Sequence, residues 1–471
     1  MSTNAGSVYA GDEINAIVLD PGTYTTRIGY SGDDFPKTMV PSVYAKDDDG
    51  QIHFDSSVDY AKSNRELLPI LKDSLIEDWD GAVAQYRHYF DNVLKVDYDE
   101  QPILITEPVW GSKEYRQKLI ETLYEEFKFP ALYLAKAPSC VSFQQGRLTC
   151  LVVDVGHCSV SVTPVVDGIC LLRNLMKTHY AGQFLNDQIR DTLQTHYSKL
   201  DLSPIYKVKC KTAVEYPLTA DFVARDLPDS ITASYDSFQQ RKIFTEAKEL
   251  LLETPDKRLN SSNPQQQPTL KEELQTEENE RTMEVPLGQV FCTCLERYAW
   301  ADLLFDPASY PFTDAPLAEK YPPCSGELSL TPYDDYRPIK RARKGEAGQA
   351  TPTPAPDSSE GVKIRGLSQL VNHAISTIDI DLRTAIASTI IVTGGSSMIP
   401  QLNDRLNAEL LAANPALKIK IHASGTSLER TTQVWMGGSV LASLGTFQQM
   451  WVSKAEYEEA GVDRILTQRF R

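Results

Sequence analysis

Two short segments carry residue types suited to a charged ligand. In the first, the apolar run at 14–19 ends at Asp20-Pro21-Gly22-Thr23, and in the second Cys150-Leu151-Val152-Val153 ends at Asp154-Val155-Gly156. An aspartate at the mouth of a strand, followed by a glycine turn, suits a phosphate site because backbone N–H groups in such a turn point outward at an anion. The aspartate would hold a hydrated divalent cation, which neutralises phosphate charge and keeps its waters. A single Asp-x-Gly is most often a structural turn, so the pairing of two carries the reading. A third segment, Thr393-Gly394-Gly395-Ser396-Ser397-Met398, follows a buried-type strand at 388–392. Its glycines, lacking Cβ, would let the backbone lie flush against a ligand.

These turns need strands on both sides. After the first, Arg27-Ile28-Gly29-Tyr30 reads as the returning strand, and after the second, Ser159-Val160-Ser161-Val162-Thr163-Pro164 does the same. The two Asp-x-Gly turns lie 134 residues apart, too far for a solenoid period and suited to a duplicated α/β domain. Between them, Pro102-Ile103-Leu104-Ile105-Thr106-Glu107 is strand-like, and residues 113–127 place Leu119, Ile120, Leu123, Tyr124 and Phe127 along one helical side. Residues 237–253, 367–378 and 401–412 also read as helices.

The chain has 471 residues, room for two to four folding units. With 41% apolar and 24% charged residues it is neither collagen-like, coiled-coil nor wholly disordered. A net charge of −17 repels nucleic-acid phosphate and anionic lipid, so direct DNA contact is confined to any local basic cluster. Eight cysteines without C-x-x-C or zinc spacing suit free thiols in a reducing compartment. Residues 1–15 hold no lysine, arginine or apolar stretch, so they do not read as a targeting peptide, and no run nears the ~18 apolar residues that span a bilayer. A cytosolic or nuclear protein without membrane contact is expected.

Two segments interrupt the alternation. Residues 254–284 are polar and expected as a surface excursion of helix and loop. Residues 307–362 hold 10 of the 28 prolines and cannot sustain a helix or central strand for long. Within them, residues 337–344 carry five basic side chains of eight, read as a nuclear-import signal in preference to a DNA contact or a solvated loop.

Residues 20–41, Leu104-Ile105-Thr106-Glu107-Pro108, Ala131-Leu132-Tyr133-Leu134-Ala135, Gly146-Arg147, Ile380-Asp381-Leu382-Arg383 and Val434-Trp435-Met436-Gly437-Gly438-Ser439, followed by Thr446-Phe447-Gln448-Gln449-Met450-Trp451, together resemble the actin family. Gly11-Asp12-Glu13, Pro21-Gly22-Thr23-Tyr24-Thr25-Thr26 and Thr106-Glu107-Pro108-Val109-Trp110 look most like its nuclear, chromatin-associated members. The resemblance implies an α/β, actin-like (ribonuclease H-like) duplicated domain with two lobes around a nucleotide cleft. The lobes would span 1–165, with a small subdomain inserted near 42–79, and 166–453, with the excursion and the insertion; 454–471 would pack back on the first lobe.

By the same resemblance, ATP with Mg2+ or Ca2+ would fill the cleft. Gly22 and Thr23 would meet phosphate beside Tyr24, and Arg27 would replace a lysine on the phosphates with a guanidinium able to grip two oxygens. Asp20 and Asp154 would hold the metal through water, Gly156 and Gly182 phosphate and ribose, Lys248 and Glu249 the nucleoside, and Gly395, Ser396 and Met398 the adenine side. Departures fall where the family positions its attacking water: Ala137 stands for a glutamine, His157 and Cys158 for an acidic residue and a glycine, and Ser161 for a histidine. ATP binding without a catalytic residue, and with slow or absent hydrolysis, is implied. The implied partners are actin, an amphipathic helix of a remodelling ATPase or acetyltransferase scaffold, and histones or nucleosomes, with residence in the nucleus and work in histone exchange, transcription and DNA repair. The alternative is a weak ATPase or a filament-forming protein, against which stands the short segment at 42–79.

Overall fold

Central strands rich in Ile, Val and Leu on both faces need cover from both sides. In the computed structural model, which describes residues 15–260, 267–321 and 366–470, Ile17–Pro21 and Ile103–Glu107 are such strands, buried at every position. Ile17–Pro21 turns back antiparallel into Thr25–Tyr30, then pairs in parallel with Ile103–Glu107, which pairs in parallel with Ala131–Lys136. The second sheet repeats this order. Cys150–Val155 turns back into Val160–Val166, then pairs in parallel with Ile390–Thr393, itself parallel to Ile421–Ala423. The duplication read from the two Asp-x-Gly turns is thus a duplication of sheet topology. Both strands of the second hairpin, Cys150–Val155 and Val160–Val166, lie in the second sheet, so the lobe boundary expected at 165 falls near 150 instead.

The chain also returns to the first sheet before 453. Helix Ser427–Ser443 lies against Ala137–Gln144 and the first sheet, with Trp435 fully buried and its Nε1 donating to the Val18 carbonyl at 3.0 Å. Gly437 makes this packing possible: a Cβ there would stand 1.9 Å from the Cys140 carbonyl oxygen. Strand Val452–Ser453 then pairs with Ala131–Lys136 at the sheet's edge, and Ile465, Leu466 and Phe470 fill the first lobe's core.

Residues 43–76 form a small three-stranded sheet and a tight hairpin, Leu71–Lys72 with Leu75–Ile76. The 254–284 excursion differs from a helix-and-loop reading at its end, where Arg281–Glu284 is a strand on Gln289–Thr293. Its beginning is anchored too, since Leu259 is buried and donates its N–H to Asp302 at 3.0 Å. The Pro-rich insertion starts with a six-residue helix, Ala315–Lys320, that buries Leu317. The basic run at 337–344, the Thr-Pro tract and Cys324 lie outside the described residues. Among the described residues the cysteines are unpaired, and no helix is long and apolar enough to cross a membrane.

Candidate functional site

Because the two sheets repeat one topology, the two hairpin turns come to face each other across a cleft. The cavity there measures about 600 Å³ and is lined from the first lobe by Asp20, Gly22, Thr23, Tyr24 and Arg27, and from the second by Asp154, Gly156 and His157. Lys248, Glu249, Gly395, Ser396 and Met398 close it from the second lobe's helices and turns. That size is typical of a small-molecule site. Ten of the eleven positions expected at the nucleotide, all but Gly182, therefore meet in one cavity with Asp20 and Asp154.

In the first turn, Gly22 donates its N–H to the Thr25 carbonyl at 3.2 Å, and a Cβ on Gly22 would press to 2.8 Å from that same oxygen. Thr23 Oγ1 accepts the Ser74 N–H at 2.7 Å, which ties the turn to the small subdomain. Asp20 is buried, taking the Thr106 hydroxyl on Oδ1 at 2.5 Å and Arg27 Nη1 on Oδ2 at 2.9 Å. Arg27, expected on the phosphates, is thus turned onto Asp20, its cross-strand neighbour.

The second turn lacks that compensation. Asp154 sits opposite Ser161, and burial beside Asp20 pushes its carboxyl up to about 6, with Arg27 only partly opposing. His157 moves the other way: desolvation and the positive charges of Lys248, Arg241 and Lys320 pull it down to about 3, so the imidazole is neutral at physiological pH. Cys158 is held as a thiol, pushed up to about 11 by burial. Neither suits general-base work near neutrality.

Helix Gly182–His196 begins against this turn, donating the Gly182 and Gln183 N–H groups to the Gly156 and His157 carbonyls at 3.1 and 2.6 Å. Gly182, expected at phosphate and ribose, stands behind the cavity wall. A Cβ there would meet Ser396 Oγ at 2.4 Å and Lys248 Nζ at 3.2 Å, so this glycine lets those two side chains close in. Lys248 is buried, and desolvation lowers its amine to about 8.

Sequence reasoning passed over the roles of Thr106 and Arg430, and read Gly394 only as a glycine of close approach. Gly394 adopts φ +90°, and a Cβ would stand 2.4 Å from Asp154 Oδ1. The Gly394-Gly395 pair signalled a close approach but not its target. Arg430 holds the Ser397 carbonyl at 3.0 Å at the cavity's far wall, a role with no local signal. Ala137 and Ser161 also line the cavity, which puts the departures from the family pattern at the site itself.

Two lobes of repeated topology closing on a pair of acidic hairpin turns define an actin-type fold, and the actin family model matches residues 11–471. The chain belongs to the actin family. It is 55% identical to actin-related protein 4 of Debaryomyces hansenii over the whole chain and 99% of that protein, and 50% identical to that of Candida albicans over 99% of this chain and 98% of the relative. Against actin-related protein 4 of Saccharomyces cerevisiae identity is 36% with both chains covered in full. This is an actin-related protein, of a fold that generally binds ATP with a divalent metal. The donor set fits such a ligand: an uncompensated aspartate for a hydrated cation, a buried lysine, and glycines where the backbone must come close.

Proposed function

We propose that this chain is a non-filamentous, ATP-binding structural subunit of nuclear chromatin-remodelling and histone-acetyltransferase complexes. The reading rests above all on the convergence of both hairpin turns on one cavity that keeps ligand-holding groups and carries alanine, histidine and cysteine where water would be activated. Asp20 and Asp154 would hold the cation through its waters. The turn backbones would hold phosphate, and Lys248, Glu249 and the 395–398 turn would hold the nucleoside. The bound metal supplies charge neutralisation; the chain's own residues bind, orient and exclude water. ATP would then act as a folding cofactor, stabilising the closed lobes by mass action without being consumed.

For partners, actin and a helical scaffold segment fit a largely apolar groove of about 350 Å³ between the two lobes, lined by Tyr133, Phe143, Ile169, Leu441, Leu444 and Met450. Helix-in-groove docking uses such a surface. The acidic excess favours basic histone tails. Such partners would hold the protein in the nucleus.

Denaturing protein purified without added nucleotide and chromatographing the supernatant tests the reading. One molar equivalent of ATP is expected. A predominance of ADP would favour the alternative of a weak ATPase, and an empty chain would overturn nucleotide binding. Pelleting in polymerising salt would point to a filament-forming protein.

A further inference from the structure

Several side chains join the lobes at the rim, among them Lys177 to Asp73, Lys242 to Asp59 and Tyr235 to the Asp59 carbonyl, and one more crosses directly over the two hairpin turns. Tyr24 rises from the first turn, and its ring stands 4.8 Å, centroid to centroid, from the imidazole of His157 in the second turn, tilted by 42°. Its hydroxyl reaches Thr245 on helix Ala233–Leu251, with Glu249 and Arg241 close by. His157 is fixed in turn, its carbonyl accepting the Gln183 N–H. Tyr24, His157 and Thr245 all line the cavity.

A ring that served only to build the first turn would be buried in it. Tyr24 is 50% exposed, and the turn is closed without it, by the Gly22 to Thr25 hydrogen bond and the Thr23 to Ser74 contact. What the ring does is touch two elements of the other lobe at once.

We infer that Tyr24 and His157 form an inter-lobe latch over the phosphate end of the cleft, which must part before a nucleotide enters or leaves. The latch rests on the nucleotide reading above, and it sets the rate of exchange more than the affinity. A gate slows association and dissociation together, whereas a lost ligand contact changes dissociation alone.

The test loads the full chain with a fluorescent etheno-ATP and chases it with excess ATP, in wild type, Tyr24→Gly, His157→Ala and Tyr24→Phe. Losing the ring contact and the hydroxyl link is expected to speed dissociation about tenfold in Tyr24→Gly, with association faster as well. His157→Ala should follow in both rates, and Tyr24→Phe, which keeps the ring, should fall between it and wild type. Rates within about twofold of wild type in both Tyr24→Gly and His157→Ala would overturn the latch while leaving the nucleotide site standing. So would faster dissociation with slower association, the mark of a damaged site. Failure of wild type to take up any etheno-ATP would overturn the nucleotide reading, and the latch with it.

Discussion

The two hairpin turns share a strand, an aspartate, a glycine and a returning strand, yet their aspartates live in opposite electrostatic settings. The residue across the ladder decides it. Asp20 faces Arg27 and Asp154 faces Ser161. Asp20 is therefore paired and doubly hydrogen-bonded, while Asp154 carries a charge that burial and the neighbouring Asp20 resist. The geometry occurs twice, and the cross-strand partner divides the labour: the first turn is neutralised by the chain, and the second is not, as the proposed cation-holding role of Asp154 requires.

The largest effect should come from removing the compensation. Arg27→Met leaves Asp20 buried without its partner and also withdraws the positive charge that restrains Asp154. Breaking a buried pair on one side is expected to cost about 3 kcal/mol, read by urea unfolding of nucleotide-free protein. Adding Asp20→Asn to Arg27→Met should recover most of that loss, since no unpaired charge then remains in the first turn. A single variant as stable as wild type would show that the two turns are electrostatically alike after all.

Much of this comparison was legible in the residues. The hairpin register that sets Asp20 against Arg27 follows from a short turn between two strands, and both were read from the apolar runs and the Asp-x-Gly punctuation. The lobe boundary was misplaced because a strand pairing between 151–154 and 390–393 leaves no local trace. The same holds for Thr106, which reaches Asp20 only because two parallel strands lie side by side. Gly394 was visible as a glycine, but its positive φ and its pressure on Asp154 belong to tertiary packing. The pairing of Arg27 with Asp20 was not foreseen, because resemblance carries over a charge without carrying over its partner.

Asp154→Asn should sharpen the contrast with a smaller effect of opposite sign. The folded carboxyl titrates near 6 against 3.8 unfolded, so the folded state holds its proton longer and stability falls as pH rises from about 4 to 6. Removing the charge should therefore stabilise the nucleotide-free protein by about 2 kcal/mol at pH 7 and abolish the falling contribution between pH 4 and 6. The same variant should lose the extra stabilisation that divalent cation adds to ATP. If Asp154→Asn destabilises at pH 7 without cation, the aspartate is compensated within the chain and the contrast between the turns collapses.

His157, three residues further along the second turn, should give the smallest change and a slope of the opposite direction. Its folded value near 3 lies below the ordinary 6.5, so the unfolded chain takes up the proton first as pH falls. Stability is then whole above about 6.5 and is lost as pH drops towards 3, with Lys248, Arg241 and Lys320 opposing the imidazolium. His157→Gln should gain about 1 kcal/mol over wild type at pH 5.5 and nothing at pH 7.5, measured by paired urea titrations. Two residues of one turn would thus pull the pH profile in opposite directions over overlapping ranges, so the wild-type curve between pH 4 and 6 should be flatter than that of either single variant. A wild-type curve steeper than both would mean that one of the two groups is not titrating inside the cleft.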